Sequence, residues 1–203
     1  KKLVDALSFK DEGVTRTTHN QLVKIISKLG VTPEQMNILR PILRSLLTKE
    51  YQIVSGSLDN IRQWADKNGR RNIPAESELT GEIKGFTVFG DKTIYLTTTS
   101  TETLVHELIH AATFENVVDY YKGADLGPLG KEQSAAIQRI EVLMDQFLKL
   151  DEIGELKPSA RQAFYNAVAA IEGYLKSTTG DQALNKAAAL NEFMAWSLTN
   201  ENL

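Results

Sequence analysis

In "TETLVHELIH" (101–110), His106 and His110 stand four positions apart, and Glu107 directly follows the first. They are two of the chain's three histidines. On a helix, residues four apart lie on one face, one turn above the other, so both imidazoles can aim at one point. Zinc accepts neutral imidazole nitrogen and favours four ligands in a tetrahedron. Glu107 is rotated by about 100° from His106, at roughly 3.6 residues per turn. That sets a carboxylate beside such an ion, where it can take a proton from a water whose pKa zinc lowers toward about 7. This is the mechanical content of the HExxH spacing. The plainer alternative is an amphipathic helix that carries two histidines by chance. The apolar Leu104, Val105, Leu108, Ile109 and Ala112 around the motif favour a buried helix.

Two histidines do not complete a site, because catalytic zinc takes three protein ligands and a water. The extended HExxHxxGxxH form is excluded, since Thr113 and Asn116 stand where it needs glycine and histidine. His19 belongs to a separate early segment and reads as an exposed or capping residue. Glu115 lies five positions past His110 and points to another face of the same helix. Glu192, in "AAALNEFMAWSLTN" (187–200), is the better choice. Its helical neighbours are Ala188, Ala189, Ala195 and Trp196. They make a small-residue face against which another helix can pack closely. A charge in an Ala/Phe/Met/Trp run is costly to bury unless it is paired or binds metal. The competing reading of Glu192 is a solvated helix glutamate.

The elements that must position these residues are mostly helical. "TTHNQLVKIISKLG" (17–30) has helical apolar spacing and stops at Gly30. Residues 32–50 open with Thr32 as N-cap and Pro33 at the first helical position, and Pro41 should kink or split that helix. "EYQIVSG" (50–56) can form a short strand, and "SLDNIRQWADKNG" (57–69) a helix ending at Gly69. Residues 68–82 read as a loop. "GFTVFGDKTIYLT" (85–97) alternates, is rich in β-branched and aromatic residues, and has Gly90-Asp91 at its middle, which predicts a hairpin. The period then turns helical at Thr99, where Thr99 and Glu102 form a capping box. That helix should run to about Tyr121. A Gly/Pro loop (122–131) precedes helices over 131–150, 158–177 and 181–199. The fold class is therefore α+β: mostly helix, with a small antiparallel sheet or hairpin before the histidine helix.

At 203 residues the chain suits one domain, or one domain with a helical extension. Its 42% hydrophobic and 24% charged residues are ordinary for a protein that buries a core. A formal net charge of −3 argues against a general nucleic-acid binder. The basic "KNGRR" (67–71) reads as a solvated loop. With no cysteine, disulfides, thiolate zinc sites and cysteine nucleophiles are excluded. No apolar run reaches the roughly 18–20 residues that span a membrane, and no signal-peptide core is present. The Lys-Lys start suggests a piece of something longer, with any targeting signal missing.

The hairpin, the HELIH helix and the later "NEFMAW" (191–196) together resemble zincin metallopeptidases whose third ligand is a glutamate. More narrowly, the chain resembles the zincin-like domains of large polyvalent proteins of phages and mobile elements, over roughly residues 85–200. The resemblance implies one zinc ion held by His106, His110 and Glu192, with Glu107 as general base. It also implies that one strand of 85–97 is an edge that holds an extended peptide. The chain departs from the best-known glutamate zincins, in which the third ligand follows the second histidine closely. Here two predicted helices intervene. The implied organisation is a helical N-terminal region (1–80) packed on the same domain and a zincin-like core (81–203) with a helical insertion (131–177). Tyr95, Tyr120, Tyr121, Tyr165 and Tyr174 are all available to stabilise an oxyanion, and none is assigned.

The function expected on this basis is zinc-dependent hydrolysis of a protein or peptide, with no nucleic-acid or membrane partner. The alternative is a non-catalytic zincin-fold module of a larger phage or mobile-element protein. A third reading is metal-dependent hydrolysis of a bond other than a peptide bond. The setting would be soluble, in the virion or the host cytoplasm.

Overall fold

The computed structural model describes residues 10–11, 14–17, 33–49, 51–70, 73, 84–97, 100–125, 127, 130–150, 158–178 and 180–199. The chain divides into two compact units, Lys1–Ala112 and Thr113–Leu203, and the division falls inside the histidine-bearing helix.

The first unit holds a five-stranded sheet: β1 (Lys10–Asp11), β2 (Val14–Thr17), β3 (Gln52–Ser55), β4 (Gly85–Val88) and β5 (Thr93–Leu96), in the order β1-β2-β3-β5-β4. Strand β5 lies between β3 and β4 and is buried at all four positions, as the continuous apolar character of Ile94, Tyr95 and Leu96 demands. It pairs antiparallel with β4 and parallel with β3. The hairpin expected at 85–97 is present. Its turn closes by the Lys92 amide donating to the Phe89 carbonyl at 3.1 Å, and the left-handed residue is Lys92 (φ 48°) rather than Gly90. The sheet as a whole is mixed, not purely antiparallel. The parallel β3–β5 pairing joins distant segments, and no local turn signal announces such a pairing.

Helix α1 (Pro33–Lys49) runs unbroken through Pro41. Proline removes one backbone donor there, but Leu39, Ile42, Leu43 and Leu46 form a buried stripe that holds the helix together. Helix α2 (Leu58–Lys67) follows β3 and begins where the Ser57 hydroxyl accepts the Asn60 amide. It ends in a Schellman-type turn, in which Gly69 (φ 68°) is left-handed and the Arg70 amide donates back to the Ala65 carbonyl. Ile61, Trp64 and Ala65 of α2 pack with Val14, Val54, Val88 and Tyr95 of the sheet. Helix α3 (Thr101–Tyr121) comes next.

The second unit is helical. The end of α3 is followed by α4 (Gly130–Phe147), a 3-10 turn (Pro158–Ala160), α5 (Arg161–Leu175) and α6 (Gln182–Thr199). Its core joins all four helices through Val117, Ile137, Met144, Ile171, Leu190 and Phe193. Burying each large apolar side chain stabilises by about 1.5–3 kcal/mol. Phe147 stands 4.9 Å from Phe164 and 5.4 Å from Phe193, centroid to centroid.

The chain is thus mostly helical with a small sheet, which agrees with the α+β class. His19, the helix expected over 17–30, and the caps expected at Thr32 and Thr99 lie outside the described residues. Among the described residues, no helix is long and apolar enough to cross a membrane.

Candidate metal centre

Helix α3 carries the motif. Its start is marked by Ser100, whose hydroxyl accepts the Thr103 amide at 3.4 Å and whose carbonyl accepts the Leu104 amide. Leu104, Leu108, Ile109, Ala111 and Ala112 are buried. Two donors from α1 fasten the helix within the first unit: Ser45 Oγ and Lys49 Nζ reach the Ala112 carbonyl at 3.3 and 3.1 Å. The end at Tyr121 is a second Schellman-type turn, with Gly123 at φ 68° and the Ala124 amide donating to the Asp119 carbonyl.

On this helix the His106 and His110 rings meet edge to face, with centroids 4.6 Å apart and an interplanar angle of 78°. His110 is buried and His106 half-buried. Glu107 is only 5% exposed. A carboxylate so buried is costly unless it is hydrogen-bonded, and β4 supplies the bond. Thr87 Oγ1 donates to Glu107 Oε2 at 2.8 Å and lies 3.3 Å from the Glu107 carbonyl. Two residues earlier, Gly85 leaves room for the same side chain. A Cβ at that position would lie 3.1 Å from Glu107 Cγ and 2.9 Å from Thr103 Cγ2.

Glu192 sits half-buried on α6, in the second unit. Around it Ala189 and Ala195 are fully buried, and Ala188 and Trp196 half-buried. The neighbouring Asn191 is 1% exposed, and its Nδ2 donates to Thr113 Oγ1 at 2.6 Å. Thr113 is three residues past His110 on α3. The helices α4 and α5, expected as an insertion, pack on α6 and so fix the helix that bears Glu192. Glu115 is half-buried on α3.

Tyr95 is fully buried, stacked on Phe86 at 4.9 Å and edge-on to Trp64 at 6.5 Å. Burial, then the charge of Asp91, pushes its hydroxyl above the ordinary tyrosine range. Tyr121 donates to Glu141 Oε1 at 2.6 Å, and Tyr120 contacts Oε2 at 3.4 Å. Burial, then this carboxylate, raises Tyr121 as well. Tyr165 and Tyr174 are exposed.

Sequence reasoning missed Thr87, Gly85 and Asn191. A threonine and a glycine two apart in a strand share one face, but which helix that face meets is not written in the strand.

Comparison with known proteins bears on the function. The chain is 41% identical over 185 residues to the virion DNA-directed RNA polymerase of Enterobacteria phage N4. The match takes in 89% of this chain and 5% of that protein. No protein-family model matches the chain. No solved structure matches it.

This similarity corrects the expectations drawn from the zincin resemblance. A zinc metallopeptidase, whether hydrolase or retired non-catalytic module, does not agree with a relative that is named a DNA-directed RNA polymerase. A partner set of peptide substrate without nucleic acid falls with it. The physical reason is that HExxH spacing specifies only a helix face. Two imidazoles and a carboxylate can be presented there whatever the rest of a large protein does. Of the associations expected with the motif, the phage one and membership in a larger protein fit the relative.

Proposed function

We propose that this chain is a metal-holding segment of a larger, virion-carried DNA-directed RNA polymerase protein. The observation that carries the polymerase assignment is the 41% identity along 89% of the chain. The chain spans about 5% of the relative's length, so RNA synthesis and its DNA and nucleotide partners belong to the proposal for the whole protein. With a net charge of −3, this segment adds little attraction for phosphate by itself. Its own contribution is the metal centre.

The proposed ligands are His106, His110 and Glu192. His106 and His110 stand one turn apart on α3 with ring centroids 4.6 Å apart, and Glu192 of α6 is the third donor proposed. Two imidazoles and one carboxylate oxygen suit zinc. Glu107, adjacent in sequence to a ligand but tied to Thr87, is the carboxylate proposed to accept a proton beside the ion. The zincin-like arrangement is proposed only as the frame of this centre.

Two measurements test the reading. Metal analysis of the purified chain after zinc loading should return about one zinc per chain. The intact protein that carries this segment should synthesise RNA from a DNA template. Absence of zinc from folded protein would remove the metal centre. Absence of template-dependent synthesis by the intact protein would remove the polymerase assignment.

A further inference from the structure

We propose that Thr87 is a positioning residue that holds the Glu107 carboxylate out of the ligand set of the metal centre. The inference rests on the metal reading for its consequence, while the Thr87–Glu107 contact stands without it. Three observations in the first unit carry it. The Thr87 hydroxyl donates to Glu107 Oε2 at 2.8 Å, an ordinary length for an O–H···O hydrogen bond. Gly85, on the same face of β4, brings the strand backbone down onto Glu107 and Thr103. Between them, Phe86 points to the other face and stacks on the fully buried Tyr95 at 4.9 Å. The strand is therefore anchored on one side and grips the carboxylate on the other.

The grip has a chemical consequence. Glu107 directly follows His106, and a glutamate side chain is long enough to swing toward an ion held by its neighbour. A carboxylate that enters the inner ligand set through both oxygens adds two donors to the three and makes the ion five-coordinate. One held beside the ion leaves three protein ligands and an open fourth position. The Thr87 hydroxyl selects the second arrangement by binding one carboxylate oxygen to β4.

Cobalt(II) substitution reads this directly, because tetrahedral cobalt gives an intense visible band that is lost on five-coordination. Wild type and Thr87→Ser should both bind one cobalt and show the band. Thr87→Val should bind one cobalt and lose it, and in a Glu107→Ala background the valine substitution should cause no further change. Thr87→Ala replaces valine if the valine variant does not fold. A band unchanged in Thr87→Val or Thr87→Ala overturns the proposal. A second readout needs no metal. The Glu107 carboxyl carbon resonance, assigned by its loss in Glu107→Gln, should shift in Thr87→Val and stay in place in Thr87→Ser. If wild type binds no cobalt but this resonance shifts as stated, the metal reading falls while the Thr87 contact is upheld. If the resonance does not shift, the contact itself is overturned.

Discussion

The Asn191 side-chain amide donates to the Thr113 hydroxyl at 2.6 Å and ties α6 to α3 inside the helical unit. Asn191 is 1% exposed, so the bond is made away from water. Removing one partner of a buried hydrogen bond costs roughly 1–3 kcal/mol. Asn191→Ala should lower unfolding stability by about that amount in urea titrations. It should also weaken zinc binding, because Glu192 is the next residue on the same helix. Wild-type zinc affinity in a clearly destabilised Asn191→Ala protein would separate the two roles.

Ligand substitutions should differ sharply from one another. Glu192→Ala and His106→Ala should each abolish tight zinc binding, while Glu115→Ala should leave it near wild type. Equilibrium dialysis with metal analysis gives the comparison. Equal retention by Glu192→Ala and Glu115→Ala would require a different third ligand.

Close approach of β4 to α3 predicts a cost at Gly85. A methyl group there would meet Thr103, Glu107 and Leu96 at 2.9–3.1 Å. Overpacking of this kind costs about 1–3 kcal/mol. Gly85→Ala should lower the midpoint of thermal unfolding, and Gly85→Val should lower it further. A thermal midpoint unchanged in both variants would contradict the tight contact.

Asp181 gives a pH-dependent prediction. Its carboxylate caps α6 by accepting the Ala183 amide at 2.8 Å and faces Lys122 Nζ at 3.3 Å. The amide bond first, and then Lys122, holds its pKa below the ordinary aspartate value. A folded-state pKa below the unfolded one means that stability is present above the unfolded value and is lost as pH falls through the folded one. Asp181→Asn keeps a capping side chain but removes this titration. The difference in melting temperature between wild type and Asp181→Asn should therefore shrink as pH is lowered from neutral toward 3. A difference that stays constant over that range would exclude the carboxylate as its source.

Local patterns in the sequence were sufficient for several elements. The alternation in 85–97 specified a hairpin, because a strand period of two and a Gly-Asp turn act over a few residues. Gly69 bounded the end of α2, since a left-handed glycine is a short-range device. The i, i+4 spacing of His106 and His110 determined that their rings would share a helix face, because that follows from the helical repeat alone. Three alanines beside Glu192 marked a face that could pack closely, and Ala189 and Ala195 are fully buried.

Other features depended on which distant segments meet. The parallel pairing of β3 with β5 joins strands separated by a helix and another strand, and neither sequence encodes its partner. Pro41 looked like a break, yet α1 continues, because tertiary burial of Leu39, Ile42, Leu43 and Leu46 outweighs one lost backbone bond. The grip of Thr87 on Glu107 arises only because β4 lies across α3 with Gly85 at the crossing. The sequence alone thus determined the local elements and the residue types at the candidate centre. Only tertiary packing decided the neighbours that restrain them, because hydrogen bonds and close contacts between distant segments depend on how the elements pack.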